Sequence, residues 1–280
     1  MAIRQPIHPP SDPTLTRLLS DDAWHVAFAR KFGEPDVSAV IVKPGAEYRL
    51  APHSELTDVG NIDDDERVAS KNRVRHQIGR GNDLFHVDCS YNARRAGYSI
   101  LRAHQLPPKG AGGRTEFADT RTAPEGLDNA TKEISKDHVL CHLVVHSRQL
   151  GAPECDLFKS REAEDHTMAR HRLVQLHELS RRTNLYIAAH AHHVDGWSKK
   201  ESQPVIDDLL RHSSQDQNIF IVDWEDNGDL VIWDNTCVMR KAPGSGFEGN
   251  HVRDMRATAV YDDWSSACGL NWKHCEGCIA

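Results

Sequence analysis

Phe85-His86-Val87-Asp88 places an imidazole and a carboxylate two residues apart. On a strand, the period of two points both side chains to one face. Such a pair can share a divalent cation, or it can be an ordinary surface pair. Far downstream, Trp233-Asp234-Asn235-Thr236-Cys237-Val238-Met239-Arg240 ends on a guanidinium, which carries a permanent charge and offers a metal no lone pair. Other groups invite the same question. His190, His192 and His193 form a His-x-His-His run, and His142 and His146 read as sharing one face of a strand. Cys268, His274, Cys275 and Cys278 could bind zinc together or form a cysteine-bearing end. Thr115 and Arg253, taken by type alone, are an ordinary strand threonine and a surface arginine. Gly110-Ala111-Gly112-Gly113 is a turn before a strand and not a phosphate loop, because no helix opens after it.

The elements that must carry these residues are mostly β. Short strand-like runs fall at 84–91, 96–104, 114–118, 139–146, 171–178, 184–190, 218–224, 229–235 and 252–262. Their alternation and spacing suggest a sandwich or barrel rather than βαβ units. Helices flank them. One starts near Ser20-Asp21-Asp22 and stops at Gly33, with Trp24, Ala27, Phe28 and Phe32 as its apolar face. A second helical pattern covers 122–136, and a third runs from Ser198 to His212, where Ser198 and Glu201 make a capping box. Residues 1–17 are Pro-rich and extended, and 44–80 form a long excursion with little regular structure.

Composition narrows the partners. The 280 residues suffice for one large domain, read as 1–280 with a Cys-bearing tail at 268–280. A net charge of -7 gives no attraction for nucleic acid or an anionic membrane, so a small-molecule substrate is expected. The absence of a long apolar run points to a cytoplasmic protein. Seven cysteines scattered through a chain of this length read as reduced thiols, and Gly277-Cys278-Ile279-Ala280 sets Cys one place too late for a prenylation box.

The surroundings of His86 are more distinctive than the pair itself. The segment Gly79-Arg80-Gly81-Asn82-Asp83-Leu84-Phe85-His86-Val87-Asp88-Cys89-Ser90-Tyr91 is followed by Leu101-Arg102-Ala103 and Gly112-Gly113-Arg114-Thr115-Glu116-Phe117-Ala118-Asp119. Then come Asn184-Leu185-Tyr186-Ile187-Ala188-Ala189-His190, Gly228-Asp229-Leu230-Val231-Ile232-Trp233-Asp234-Asn235 and Arg253-Asp254-Met255-Arg256. In this order they resemble the iron and 2-oxoglutarate-dependent dioxygenases of the taurine and 2,4-dichlorophenoxyacetate dioxygenase family, especially its fungal members. The resemblance runs from about Leu18 to Asn271. It implies a double-stranded β-helix, a jelly-roll variant, in agreement with the mostly β reading with flanking helices. It also implies Fe(II) held by two His and one carboxylate, with open positions for 2-oxoglutarate and oxygen. By resemblance, His86 and Asp88 are the first two metal ligands. Thr115 and Arg253 hold the distal carboxylate of 2-oxoglutarate, a role in which a charge-assisted fork and a hydroxyl make physical sense. The family does not use the run resembling His190-Ala191-His192-His193 for iron, and His146-Ser147-Arg148 matches a family segment as core or pocket polar residues.

Three departures stand against this. Arg240 occupies the position of the second metal histidine. Ala257 stands where many members carry a second Arg that can grip an anionic substrate. The chain also begins late relative to the family, so that a sheet edge is expected to need cover, for which a homodimer is one solution. At the metal site three arrangements are open: substitution by another histidine such as His251, a two-ligand site completed by water, or Arg240 paired with Asp88 in place of the cation. The resemblance implies an oxidoreductase of catabolic or specialised, fungal-type metabolism, which oxidises a small organic acid or metabolite and turns 2-oxoglutarate into succinate. The alternative is a non-redox relative that binds a ligand or acts as a cyclase or isomerase, with Arg240 as the catalytic group steadying negative charge.

Overall fold

The computed structural model describes residues 21–37, 48–63 and 65–271. The expectations for residues 1–17 and for His274, Cys275 and Cys278 lie outside them. Sheets form the centre, with helices flanking them. The strands in chain order are β1 (Thr57–Asp58), β2 (Ala96–Gln105), β3 (Thr115–Asp119), β4 (Val139–His142), β5 (Ala169–Arg172), β6 (Val174–His177), β7 (Arg182–Leu185), β8 (Ala191–Val194), β9 (Ile219–Val222), β10 (Leu230–Asp234), β11 (Val238–Lys241) and β12 (Asp254–Tyr261). Every pairing among them is antiparallel. They assemble as β1-β12-β2-β10, β11-β3-β9, β5-β4-β8 and the hairpin β6-β7.

Strand β2 explains why two layers pack on one sheet. Its odd positions Leu101 and Ala103 meet Val231, Trp233, Met255 and Ala257 of their own sheet and Phe117, Val222 and Val238 of the three-stranded sheet. Phe117 and Trp233 lie 5.3 Å apart, ring to ring, and burying each contributes on the order of 2–3 kcal/mol. The even positions Tyr98 and Ile100 face α1 (Asp22–Ala29) through Trp24, Phe28 and Ala29. That helix starts on Asp21, whose side chain accepts from the Ala23 N–H. The N-cap is one residue later than the sequence suggested.

The remaining helices are α2 (Val74–Gly79), α3 (Ala123–Gly126), α4 (Asn129–Ser135), α5 (Val144–Gly151), α6 (Asp156–Lys159) and α7 (Lys199–Ser213). The expected capping box at Ser198 and Glu201 is present, and Ile206 and Leu209 of α7 join the second large core with Leu140, Leu185 and Ile187. Two expectations fail locally. Residues 84–91 do not form a strand: His86 makes a single bridge and the chain then turns, with Cys89 at a φ of 56°. The run 139–146 ends as a strand at His142, and His146 sits on α5. A short apolar run is compatible with either geometry, and here the turn and the helix win. Cys89, Cys141, Cys155 and Cys237 are free thiols, whereas Cys268 is disulfide-bonded, a departure from the all-thiol reading.

Candidate active site

His86 and Arg240 are directly opposed. Each backbone N–H donates to the other's carbonyl, at 2.9 Å from His86 and 2.8 Å from Arg240, so both side chains leave the pair on the same face. The His86 ring nitrogen Nδ1 lies 2.7 Å from the Leu84 carbonyl. A carbonyl only accepts, so Nδ1 carries the hydrogen and Nε2 presents its lone pair. Burial, followed by the charge of Arg240, lowers the pKa of His86 and keeps the ring neutral. Nε2 lies 3.5 Å from Asp88 Oδ1, an arrangement that attracts a cation.

Arg240 supplies that cation. Its Nε donates to the same Asp88 Oδ1 at 2.9 Å, while Ser99 Oγ donates to Oδ2 at 2.9 Å. Burial pushes the Asp88 pKa up, but the Arg240 charge and then the Ser99 hydroxyl outweigh it and hold the carboxyl well below its usual range. Asn235 braces the turn: its Oδ1 accepts from Trp233 Nε1 and from the Asp88 N–H, and its Nδ2 donates to Ser99. The Trp233 ring lies 5.4 Å from the Arg240 guanidinium carbon, within cation–π range. Arg240 is 5% exposed, and its Nη1 is buried with no hydrogen-bond partner among the described residues.

Arg253 and Thr115 lie to one side of this group. Arg253 Nε donates to the Gly113 carbonyl at 3.1 Å, and Asn61 Oδ1 accepts from its backbone N–H. Its Nη2 is buried without a partner among the described residues. Burial and then Arg240 lower its pKa to about 10. Gly113 is required here, since its φ is 96° and a Cβ would come 3.2 Å from Arg253 Nε. Thr115 is fully buried, and its Oγ1 accepts from Trp224 Nε1 at 3.1 Å, which leaves the hydroxyl hydrogen available. Arg240 on β11 pairs with Phe117 on β3, so Thr115, two residues along β3, shares its face. Ala257 is packed in the apolar core and offers no charge.

No other side chain among the described residues completes a three-ligand metal centre at His86 and Asp88. Among the described residues, three metal-ligating atoms come within 4.8 Å of one another only at His177, Asp234 and Cys237. There, His177 is already bonded to Ser180 and Asp234. His251 is exposed. His190 is buried with its ring centre 5.8 Å from that of His86, and its Nδ1 is 3.0 Å from Ser90 Oγ. His146 and His192 pack against each other, ring to ring at 5.0 Å. Ser99 and Arg148 escaped a reading by ligand type. Arg148 acts electrostatically on this group, since Tyr91, Arg240 and Asp88 all shift its pKa, and its Nη1 is tethered to the carbonyl of Ile78. The tight turn glycine Gly81 is the available signal, because a Cβ there would strike the Arg148 side chain.

The chain as a whole has counterparts among known proteins. The family model described as taurine catabolism dioxygenase TauD, TfdA family matches residues 15–258. The alpha-ketoglutarate-dependent 2,4-dichlorophenoxyacetate dioxygenase of Cupriavidus pinatubonensis (strain JMP 134 / LMG 1197) is 32% identical over 249 residues, 88% of this chain and 82% of that protein. Its namesake in Burkholderia sp. (strain RASC) is 32% identical over 240 residues, 84% of this chain and 76% of that protein. The crystal structure of AAD-2 in complex with Mn(II) and N-oxalylglycine matches with a TM-score of 0.76 at 30% identity, covering 93% of this chain and 97% of that one. The chain belongs to the TauD, TfdA family, as a dioxygenase-like member of the 2-oxoglutarate-dependent oxygenases, an enzyme family.

Proposed function

We propose that the protein binds 2-oxoglutarate where β3, β11 and the residues before β12 come together, and that its second substrate is a small organic acid or specialised metabolite. The strands around it are read as the family's double-stranded β-helix. The observation that carries the proposal is Arg253, a buried guanidinium whose Nη2 is unpartnered and whose Nε is held by the carbonyl of Gly113, two residues before Thr115. A buried charge without a partner is costly, and the distal carboxylate of 2-oxoglutarate supplies one with the right geometry. The relatives named for 2,4-dichlorophenoxyacetate act on an organic acid, which favours the oxygenase reading over a ligand-binding or cyclase alternative.

His86 and Asp88 are the residues through which a metal would be held. They do not by themselves fit the family's three-ligand iron centre: the third place is a cation, and it already occupies Asp88 Oδ1. Asp88, braced by Ser99 and Asn235, holds Arg240 in place, with the Trp233 ring against its guanidinium. Calorimetric titration with 2-oxoglutarate, with and without added divalent metal, tests the reading. Binding in either condition, with succinate formed in the presence of a panel of small organic acids, supports it. No binding in both conditions overturns it.

A further inference from the structure

Resting on the 2-oxoglutarate reading, we infer that Arg240 takes over the charge of the missing metal, so that a five-carbon dicarboxylate is held between Arg240 and the Arg253–Thr115 pair without a metal ion. Geometry places the two ends. Arg240 and Phe117 are paired across β11 and β3, which makes Thr115 the diagonal neighbour of Arg240 on one face, roughly 7–8 Å away backbone to backbone. That separation suits two terminal carboxylates on a short chain. Phe117, fully buried between them, provides an apolar floor for the methylenes.

Donor supply points the same way. Arg240 Nη1 and Arg253 Nη2 are both buried and both lack a partner among the described residues, while the Nε of each is fixed by Asp88 and Gly113 respectively. A guanidinium anchored at Nε keeps its outer edge rigid, and a carboxylate is the group that this edge pairs with best. Neutral molecules would leave the charge of Arg253 unanswered and the outer edge of Arg240 unused. Arg240 is paired with Asp88, and Arg253 beside it feels the charge of Arg240. Asp88 answers the charge of Arg240 through its Nε, which leaves the outer edges of Arg240 and Arg253 facing no second carboxylate among the described residues.

The test uses the full chain, stripped with EDTA and checked for metal content, titrated calorimetrically with 2-oxoglutarate, glutarate and 2-oxobutyrate. Metal-free binding of 2-oxoglutarate and glutarate is expected, with 2-oxobutyrate weaker by about thirtyfold or more for want of the second carboxylate. Adding Mn(II) should leave the affinity for 2-oxoglutarate unchanged. Arg240→Gln should weaken metal-free binding by about thirtyfold. Because that change strands Asp88, the double variant Asp88→Asn with Arg240→Gln, which removes both charges, should show the same loss while retaining a cooperative thermal transition. Binding of 2-oxoglutarate that appears only when Mn(II) is added would overturn the inference and leave the 2-oxoglutarate reading standing. No binding under either condition would overturn both.

Discussion

Arg240 Nε sits 2.9 Å from Asp88 Oδ1, a buried ion pair joining residues far apart in sequence. Removing one member of such a pair leaves the other charged and without a partner. Arg240→Ala should therefore destabilise the fold by about 3–5 kcal/mol, whereas Asp88→Asn with Arg240→Met should cost much less. Urea unfolding monitored by Trp fluorescence measures both, and equal losses in the two variants would contradict a net pairing role.

Arg240→His replaces the cation with a neutral ligand on the same backbone pair as His86. The substituted imidazole leaves the face already shared with His86 Nε2 and Asp88, and with Arg240 gone Asp88 Oδ1 is free to coordinate. Mn(II) affinity should rise by at least about tenfold, a floor set by what even outer-shell partners contribute to metal binding. A Mn(II) titration followed by electron paramagnetic resonance reads this directly, and an unchanged affinity would mean that residue 240 does not face the metal position.

The residues of the site were easier to read than the backbone that carries them. Ser198 and Glu201 announce the start of α7 because capping is a local transaction between a side chain and nearby N–H groups. His86 and Asp88 were named together on the assumption of a strand, yet the chain turns after a single bridge and Cys89 takes a φ of 56°. What brings Asp88 back to 3.5 Å from His86 is the brace of Ser99 and Asn235, contacts between distant segments that no local pattern encodes. His146 moved from strand to helix for a similar reason: Leu140 to Val145 is apolar enough for either, and packing decides. Arg240 was legible only as a foreign residue in a familiar motif; its pairing with Asp88 was one of three open arrangements.

Arg253 should show opposite effects on binding and on stability. In the unliganded protein its Nη2 is buried and unpartnered, so Arg253→Met should raise the thermal midpoint in the absence of ligand. The same change should weaken 2-oxoglutarate binding by about 2–5 kcal/mol, the range for truncating a buried charged partner. Thr115→Val should cost binding only about 1 kcal/mol, with a further structural effect through Trp224 Nε1, which loses its acceptor. Calorimetry and differential scanning on the same samples separate the two signs. A variant that loses stability and binding together would mark Arg253 as a structural residue.

Acid should unfold this protein early. Burial holds His25, His142 and His146 at about 3 and His192 at about 4, against 6.5 for an unburied imidazole. Above pH 6.5 these rings are neutral in both states and contribute no pH dependence. As pH falls below 6.5 the unfolded chain takes up protons that the folded chain refuses, so stability is lost progressively until pH approaches the folded values. Each such ring removes about 1.4 kcal/mol per pH unit across that window, and several acting together exceed the whole stability of an ordinary domain within about two or three units. Asp88 adds to the loss only at lower pH, because its folded pKa is depressed and its contribution disappears as pH drops through that value. The thermal midpoint should therefore be flat between about pH 7 and 8 and fall steeply between about pH 6 and 4. Replacing His142 by Gln, which carries no titrating group, should shift that fall to lower pH. An unchanged profile would show that the buried imidazoles are not what limits the acid limb.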